Sequence, residues 1–175
     1  NELYELYNKY ELSRFKVIAE PGRIISGPCG TLITKDIGKS KRFGRNFLFL
    51  DDGVYGCYSG VIYDHAKFNF IPLDKKFIDI SYKNRLVPYT LAGPTCDSID
   101  IIDENVMLPE NIEIGDYIMS TDIGAYSIMS ATAFNGFKPA KVLYLNNNDK
   151  LENEHIGIDF DIYSLNVSSE NYNEN

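Results

Sequence analysis

The chain has 175 residues, 44% of them hydrophobic, which is enough for one substantial buried core. Its formal net charge of −8 is uneven, because residues 146–175 carry seven acidic side chains and one lysine and the remainder is nearly neutral. There is no basic stripe and no apolar run near the roughly 18 residues of a membrane span, so neither nucleic-acid binding nor membrane insertion is expected.

The cysteines and histidines are too few and too scattered for a zinc site. Cys29, Cys57 and Cys96 form no Cys-x-x-Cys pair, and the only histidines are His65 and His155. An odd, widely spaced set of cysteines favours a reducing, cytoplasmic compartment. The first residue is Asn rather than Met and no signal peptide follows, so we expect that the chain either begins inside a longer polypeptide or has been processed.

Residues 1–23 have the pattern of a barrel fragment. Apolar residues at helical spacing predict a short amphipathic helix over 2–14, and the apolar run 15–19 predicts a buried strand. The charged, glycine-bearing turn Glu20–Arg23 follows. Helix, strand and turn in this order are typical of a (β/α)8 barrel, whose catalytic groups lie at that end of the strands. We therefore interpret 1–23 as the last helix and strand of such a barrel.

Residues 24–145 predict a mainly β domain, a Greek-key-like β-barrel or sandwich, because short apolar segments alternate with Gly, Pro and Asp. The predicted strands are 43–50, 54–63, 67–73, 77–81, 88–92, 116–121 and 141–145, with a hairpin turn at 51–53 and a short helix over 126–134. Residues 146–175 form an acidic, Asn-rich tail in which 156–162 alternates like a strand.

Five short motifs occur in order along the chain. They are Glu20-Pro21-Gly22-Arg23, Tyr63-Asp64-His65-Ala66, Gly93-Pro94-Thr95-Cys96-Asp97, Gly124-Ala125-Tyr126 and Phe134-Asn135-Gly136-Phe137. Together, at these separations, they resemble ornithine decarboxylase, a pyridoxal-phosphate-dependent family with an alanine-racemase-like fold. The resemblance runs from about residue 20 to residue 145.

The first motif has the chemistry of an anion site. Gly22 allows backbone N–H groups to approach an anion closely, and Arg23 has the planar donor fork that suits phosphate. By itself such a tetrapeptide is more often an ordinary turn. The resemblance implies that Glu20 pairs with the pyridine nitrogen of pyridoxal 5'-phosphate, that Gly22 and Arg23 help to bind this cofactor, and that the Tyr126 hydroxyl binds its phosphate.

The Gly-Pro-Thr-Cys-Asp turn offers a thiol beside a carboxylate. The resemblance assigns Cys96 to protonation of the α-carbon after carbon dioxide leaves, or to control of where that proton lands. It assigns Asp97 and Asp64, with Tyr63 beside the latter, to the distal ammonium of the substrate, since a desolvated cation must be paired. Cys29 and Cys57 are interpreted as ordinary buried cysteines, and His65 as a structural histidine on the opposite strand face from Asp64.

The resemblance also implies a homodimer whose active sites are shared between subunits. Glu20, Arg23, Asp64 and Tyr126 would serve one site, while Cys96, Asp97 and Phe134 would reach into the partner's. Core packing is an equally good interpretation of Phe134. The family's cofactor-binding lysine, its ring-stacking histidine and its glycine-rich phosphate loop would all precede this chain, so the chain alone is expected to be inactive.

The predicted activity is conversion of L-ornithine to putrescine and carbon dioxide. A decarboxylase of lysine or arginine is an alternative; a diaminopimelate enzyme is less favoured, because Asp97 stands where those enzymes typically carry Glu. A catalytically inactive regulatory paralogue of the antizyme-inhibitor type is a second alternative, opposed by the presence of all six main site residues. An unrelated β-barrel binding module is a third, opposed by five ordered motifs.

Overall fold

The computed structural model of the protein describes residues 2–12, 15–16, 18–82 and 84–145. Its helices are α1 (Glu2–Lys9), α2 (Arg23–Ser26) and α3 (Gly60–Tyr63), with 3-10 turns at Gly27–Cys29, Cys57–Ser59 and Phe134–Gly136. Its strands are β1 (Leu32–Arg42), β2 (Arg45–Leu50), β3 (Asn69–Leu73), β4 (Leu86–Ala92), β5 (Ile101–Pro109) and β6 (Tyr117–Thr121). No helix in these ranges has the length and apolarity that crossing a membrane requires.

The six strands form one sheet in the order β3-β6-β1-β2-β4-β5. Neighbours are antiparallel except β2 and β4, which run parallel. The edge strands β3 and β5 approach each other, so the sheet is a nearly closed barrel. The predicted mainly β fold class is therefore confirmed.

Strand β1 joins the two halves of the barrel. Its first residues pair with β6 and its last residues pair with β2, and the register shifts between Asp36 and Gly38. Such an irregularity bends a strand and increases its twist, which curves the sheet toward closure. β1 was not predicted, because its second half, with three basic residues and a glycine, lacks an apolar alternation.

The core fills the barrel interior from alternate strand residues. In β2, Leu48 and Leu50 are fully buried, whereas Phe47 and Phe49 point to the other face and stack at 6.2 Å. Tyr58 is also fully buried, and its hydroxyl lies 2.8 Å from Ser120 Oγ, which satisfies both groups. Among the described residues, further fully buried apolar side chains are those of Leu91, Leu108, Pro109, Ile112 and Ile118.

Of the helix and strand predicted near the N-terminus, only the helix is confirmed, and it ends at Lys9. The strand over 15–19 was wrong: the described residues of that segment form no strand, and Phe15 and Ile18 are 54% and 68% exposed. A strand needs a hydrogen-bonded neighbour, and none of the described strands lies beside this segment.

The hairpin was predicted in the wrong place. The tight turn is Phe43-Gly44, between β1 and β2, with Arg42 paired to Arg45. Segment 51–53 instead leads into 3-10 and α-helical turns across the predicted strand 54–63, because Asp52 accepts hydrogen bonds from the backbone N–H groups of Gly53 and Cys57. A carboxylate that satisfies local N–H groups favours a turn over a ladder.

Some of the remaining strand predictions are confirmed and others are not. Strands over 43–50, 67–73, 88–92 and 116–121 are confirmed with shifted ends, whereas β5 was missed. Segment 77–81 forms only an isolated bridge between Leu73 and Asp79, 126–133 forms turns, and 141–145 forms no strand. The predicted tail strand at 156–162 lies outside the described residues.

Candidate active site

The predicted site residues that make contacts fall into two groups. The first, called here the Arg23 cluster, contains Gly22, Arg23, Asp64 and Tyr126. The second, the Cys96 cluster, contains Cys96 and Asp97 with Tyr55, Phe134 and Asn135. Among the described residues, no hydrogen bond, ion pair or ring contact joins a member of one cluster to a member of the other.

The Arg23 cluster joins three segments that are far apart in the sequence. Arg23 opens α2 and forms a hydrogen-bonded ion pair with Asp64, which follows the last residue of α3. The Arg23 guanidinium carbon lies 5.7 Å from the ring centroid of Tyr126, within reach of a cation–π interaction. A Cβ on Gly22 would stand 3.7 Å from the Tyr126 hydroxyl oxygen. A guanidinium, a phenol and a glycine backbone thus share one surface.

Small residues beside Arg23 allow its side chain to lie close to α3. A Cβ on Gly60, the first residue of α3, would lie 3.3 Å from Ala66 Cβ and 3.5 Å from Arg23 Nη2, so a larger side chain would crowd the arginine. The Arg23 and Asp64 side chains remain 35% and 41% exposed. Their ion pair therefore contributes at most about 1 kcal/mol to stability. The cluster is accessible to a ligand rather than a buried structural pair.

Two predicted members stay apart from this cluster. Glu20 is exposed and makes no hydrogen bond or ion pair with any described residue. Tyr63 is 70% exposed, and the structure shows no contact between it and Arg23. Neither side chain therefore has a hydrogen-bond or ion-pair partner in the part of the chain that the structure describes.

The Cys96 cluster is built on the connection between β4 and β5. Asp100 is buried and anchors this connection: its carboxylate accepts hydrogen bonds from the Val54 N–H at 2.9 Å, the Thr95 N–H at 3.0 Å and the Thr95 hydroxyl at 2.7 Å. Cys96 follows Thr95 and is exposed. The hydrogen bonds to Asp100 therefore fix the turn on which the Cys96 thiol is exposed to solvent.

Asp97 is held as a carboxylate by Tyr55. The Tyr55 hydroxyl donates a hydrogen bond of 2.6 Å to Asp97, and the Ile99 N–H donates a second at 3.1 Å. The first bond is the main cause that lowers the pKa of Asp97, and it raises the pKa of Tyr55 to about 12. Near neutral pH the pair is a carboxylate and a protonated phenol, which suits Asp97 to a cationic ligand.

Phe134 and Asn135 complete the cluster. The ring of Phe134 stacks on Tyr55 with 4.1 Å between centroids and an interplanar angle of 19°. Asn135 Nδ2 donates to Cys96 Sγ at 3.4 Å. Asn135 belongs to a predicted motif but had no predicted role, and Tyr55 and Asp100 were not predicted as site residues. Tyr55 bonds Asp97 across 42 residues and Asp100 bonds Val54 across 46, and a local motif does not show such contacts.

Several local expectations are corrected. Tyr126 opens no helix; it sits in a turn with φ 64. Asp64 and His65 are not strand neighbours, because Asp64 caps α3 and His65 has φ 52. Cys57 is buried as expected, but Cys29 is exposed, because its 3-10 turn lies at the surface.

The chain matches one family by sequence. The sequence model of the family described as "Pyridoxal-dependent decarboxylase, C-terminal sheet domain" matches residues 7–124. A "Lysine/ornithine decarboxylase" of Selenomonas ruminantium is 40% identical over 121 residues, 69% of this chain and 28% of that protein. A "Probable ornithine decarboxylase" of Dictyostelium discoideum is 37% identical over 146 residues, 75% of this chain and 30% of that protein.

A solved structure agrees with the sequence matches. The lysine/ornithine decarboxylase of Vibrio vulnificus, complexed with cadaverine, superimposes with a TM-score of 0.65 at 40% identity over 74% of this chain and 34% of that one. The chain thus spans about a third of the length of these relatives.

Proposed function

This chain belongs to the pyridoxal-dependent decarboxylases, as their C-terminal sheet domain, and we propose that it supplies half of the active site of an L-ornithine decarboxylase that forms putrescine and carbon dioxide. Residues 1–23 would belong to the barrel domain and 24–145 to the sheet domain. The lysine that carries the cofactor would lie in the rest of the polypeptide, so this chain alone would be inactive. Three unpaired cysteines are compatible with the reducing cytoplasm.

The Arg23 cluster fits the phosphate of pyridoxal 5'-phosphate. Arg23 has five N–H donors, so it can keep its ion pair with Asp64 and still donate to a phosphate oxygen. The exposed Tyr126 hydroxyl is a further donor, and it lies beside Gly22, where an added Cβ would be in van der Waals contact with it at 3.7 Å. Glu20 would pair with the ring nitrogen. When bound, the cofactor supplies an electron sink for the carbon from which carbon dioxide leaves.

The Cys96 cluster would act on the substrate. Asp97, kept anionic by Tyr55, would bind the distal ammonium of ornithine. Cys96, one residue earlier on the same turn, would supply the proton that replaces the carboxylate on the α-carbon. The observation that carries this proposal is that one turn, fixed by hydrogen bonds to Asp100, bears both the exposed Cys96 thiol and the Asp97 carboxylate to which Tyr55 donates.

The separation of the two clusters supports a homodimer with shared sites. Asp64 and Asp97 were both predicted to face one ammonium, yet within one chain they belong to different clusters. In the proposed dimer they would meet at one substrate, because the Cys96 cluster of one subunit would face the Arg23 cluster of its partner. Phe134, 39% exposed beside Cys96, would then lie at the subunit interface.

Lysine is a second candidate substrate. The Selenomonas relative and the Vibrio structure are both named for lysine as well as ornithine. One methylene changes transition-state binding by only about 1–3 kcal/mol, so a site that accepts ornithine can also accept lysine.

The test is carbon dioxide release by the full-length enzyme, supplied with pyridoxal 5'-phosphate, from L-ornithine, L-lysine and L-arginine. We expect the highest kcat/KM for ornithine. Equal values for ornithine and lysine would replace the proposal by a dual-specificity enzyme. Cofactor binding without turnover of any substrate would contradict it and favour the regulatory paralogue.

A further inference from the structure

We infer that Asn135 is a positioning residue for Cys96, and that its side-chain amide orients the thiol and stabilises the sulfur once its proton has left. The inference rests on the function proposed above for Cys96. Asn135 Nδ2 lies 3.4 Å from Cys96 Sγ, although 39 residues separate the two in the sequence. Cys96 Sγ makes no other hydrogen bond within the described part of the chain.

The backbone at Asn135 is built for this contact. Asn135 has φ 53 and ψ 19, a left-handed conformation that interrupts the 3-10 turn Phe134–Gly136. Non-glycine residues seldom adopt this conformation, and Asn is among the few that tolerate it. The turn thereby directs an amide, rather than a bare glycine backbone, at the sulfur.

The turn that contains Asn135 is also bonded to Tyr55, the residue that donates a hydrogen bond to Asp97. Thr132 donates its N–H at 2.8 Å and its hydroxyl at 3.1 Å to the Tyr55 carbonyl, and Phe134 stacks on the Tyr55 ring. Tyr55 in turn donates to Asp97. One unit therefore sets the positions of both the thiol and the carboxylate that would face the substrate.

The chemistry follows from the direction of the hydrogen bond. An N–H donor occupies a sulfur lone pair, so the S–H bond is left to point elsewhere, toward an acceptor. When the proton is transferred, the sulfur becomes anionic and the same N–H donor stabilises it, because hydrogen bonds to charged groups are stronger than neutral ones. Asn135 would thus favour the thiolate and assist proton donation without itself exchanging a proton.

Two variants of the full-length enzyme separate this role from a role in the turn. Asn135→Gly keeps the left-handed backbone and removes the amide, whereas Asn135→Asp keeps the shape and replaces the N–H donor by a carboxylate. The rate of Cys96 alkylation by iodoacetamide at pH 7.5 is followed by peptide mass spectrometry. Exposed Cys29 is the internal reference, and cofactor absorbance checks folding.

We expect Cys96 alkylation to fall about three- to tenfold in both variants relative to Cys29, more in Asn135→Asp, where a carboxylate faces the thiolate. kcat should fall by a similar factor while KM changes less than twofold. Unchanged alkylation in both variants, or a faster reaction in Asn135→Gly, would overturn the inference. Absence of carbon dioxide release by the wild-type enzyme would instead overturn the proposed function, and the alkylation rates would still decide the role of Asn135.

Discussion

At the scale of single residues, aspartates determine much of the local structure. Asp100 fixes the turn that carries Cys96, and Asp52 caps the turn that carries Tyr55. Asp36 is fully buried at the β1 bend, where it accepts the Gly38 N–H at 3.0 Å. In the sequence these aspartates look like ordinary surface turn residues. Asp36 is instead fully buried, so its protonation should affect stability.

Asp36 should make stability depend on pH. Its pKa rises from 3.8 to about 7, chiefly because burial disfavours the charged form; the Gly38 N–H and Lys39 oppose this rise, and Asp116 adds to it. Its other oxygen, Oδ2, has no hydrogen-bond partner among the described residues. The folded state thus holds this proton more tightly than the unfolded state, so Asp36 favours folding most below about pH 4. The contribution is lost as pH rises toward 7, by up to about 1.4 kcal/mol per pH unit.

Replacement of Asp36 by Asn removes the titration. Urea unfolding between pH 4.5 and 7.5 should show a shallower decline of the free energy of unfolding for Asp36→Asn than for wild type. Asp122→Asn, at an exposed position, is the control and should follow the wild-type curve. Parallel curves for Asp36→Asn and wild type would mean that Asp36 ionises normally in the folded protein.

Cys96→Ala should reduce decarboxylation strongly and leave cofactor binding intact. Loss of a general acid lowers kcat by roughly 10²–10⁴-fold, and the Arg23 cluster makes no contact with Cys96. The measurements are kcat with ornithine and the cofactor absorbance of the full-length enzyme. Cys29→Ala, at an exposed cysteine outside both clusters, should keep kcat within about twofold of wild type; normal turnover by Cys96→Ala would remove Cys96 from the mechanism.

The sequence predicted these residues as motif members but not their partners. Gly-Pro-Thr-Cys-Asp singled out Cys96 and Asp97, whereas Tyr55 and Asn135 reach them only across the fold, over 42 and 39 residues. Local patterns carry information about neighbours in the chain, and tertiary partners depend on how the strands assemble. Resemblance to a family indicated the candidate site residues, and the structure adds the hydrogen bonds that position them.

At the scale of elements, apolar content determined what was predictable. β2, β3, β4 and β6 contain clear apolar runs and were found. β1 was missed because it is largely polar, and β5 because Asp103, Glu104 and Asn105 interrupt its apolar residues. Segment 54–63 is apolar enough for a strand but folds into turns around Asp52. Hydrophobic runs do not distinguish a strand from a buried turn when side-chain carboxylates compete for the backbone N–H groups.

A single substitution in the β1–β2 hairpin turn should make the protein more stable. Phe43 has φ 51 and is fully exposed, so it combines a strained backbone with no buried surface. A two-residue turn with both φ angles positive favours Asn-Gly. We expect Phe43→Asn to raise the free energy of unfolding by about 0.5–1 kcal/mol, measured by urea denaturation.

Gly44→Ala is the matched control at the same turn. Gly44 has φ 79 and nothing within 4 Å of an added Cβ, so its replacement isolates the backbone cost, about 1 kcal/mol of destabilisation. Opposite signs for the two variants would establish the turn geometry. A destabilised Phe43→Asn would show instead that the phenyl ring has a partner elsewhere in the protein.

At the scale of the whole molecule, the domain is best understood as one side of a site. The Arg23 cluster offers cation and phenol to an anion, and the Cys96 cluster offers thiol and carboxylate to an ammonium-bearing substrate. Neither set is a complete decarboxylase site, and no contact among the described residues joins the two. The proposed homodimer would bring the two sets together in a site shared between subunits.

Mixing two inactive full-length variants tests that arrangement. Arg23→Ala damages the Arg23 cluster and Cys96→Ala damages the other. If each site takes one cluster from each subunit, a mixed dimer contains one site with both defects and one site with none. Random exchange of equal amounts makes half of the dimers mixed, so about a quarter of all sites should be intact. Carbon dioxide release near that fraction of wild type is the expected result. If both clusters served a site within one chain, every site would carry a defect and mixing would restore nothing; mixing wild type with either variant controls for subunit exchange.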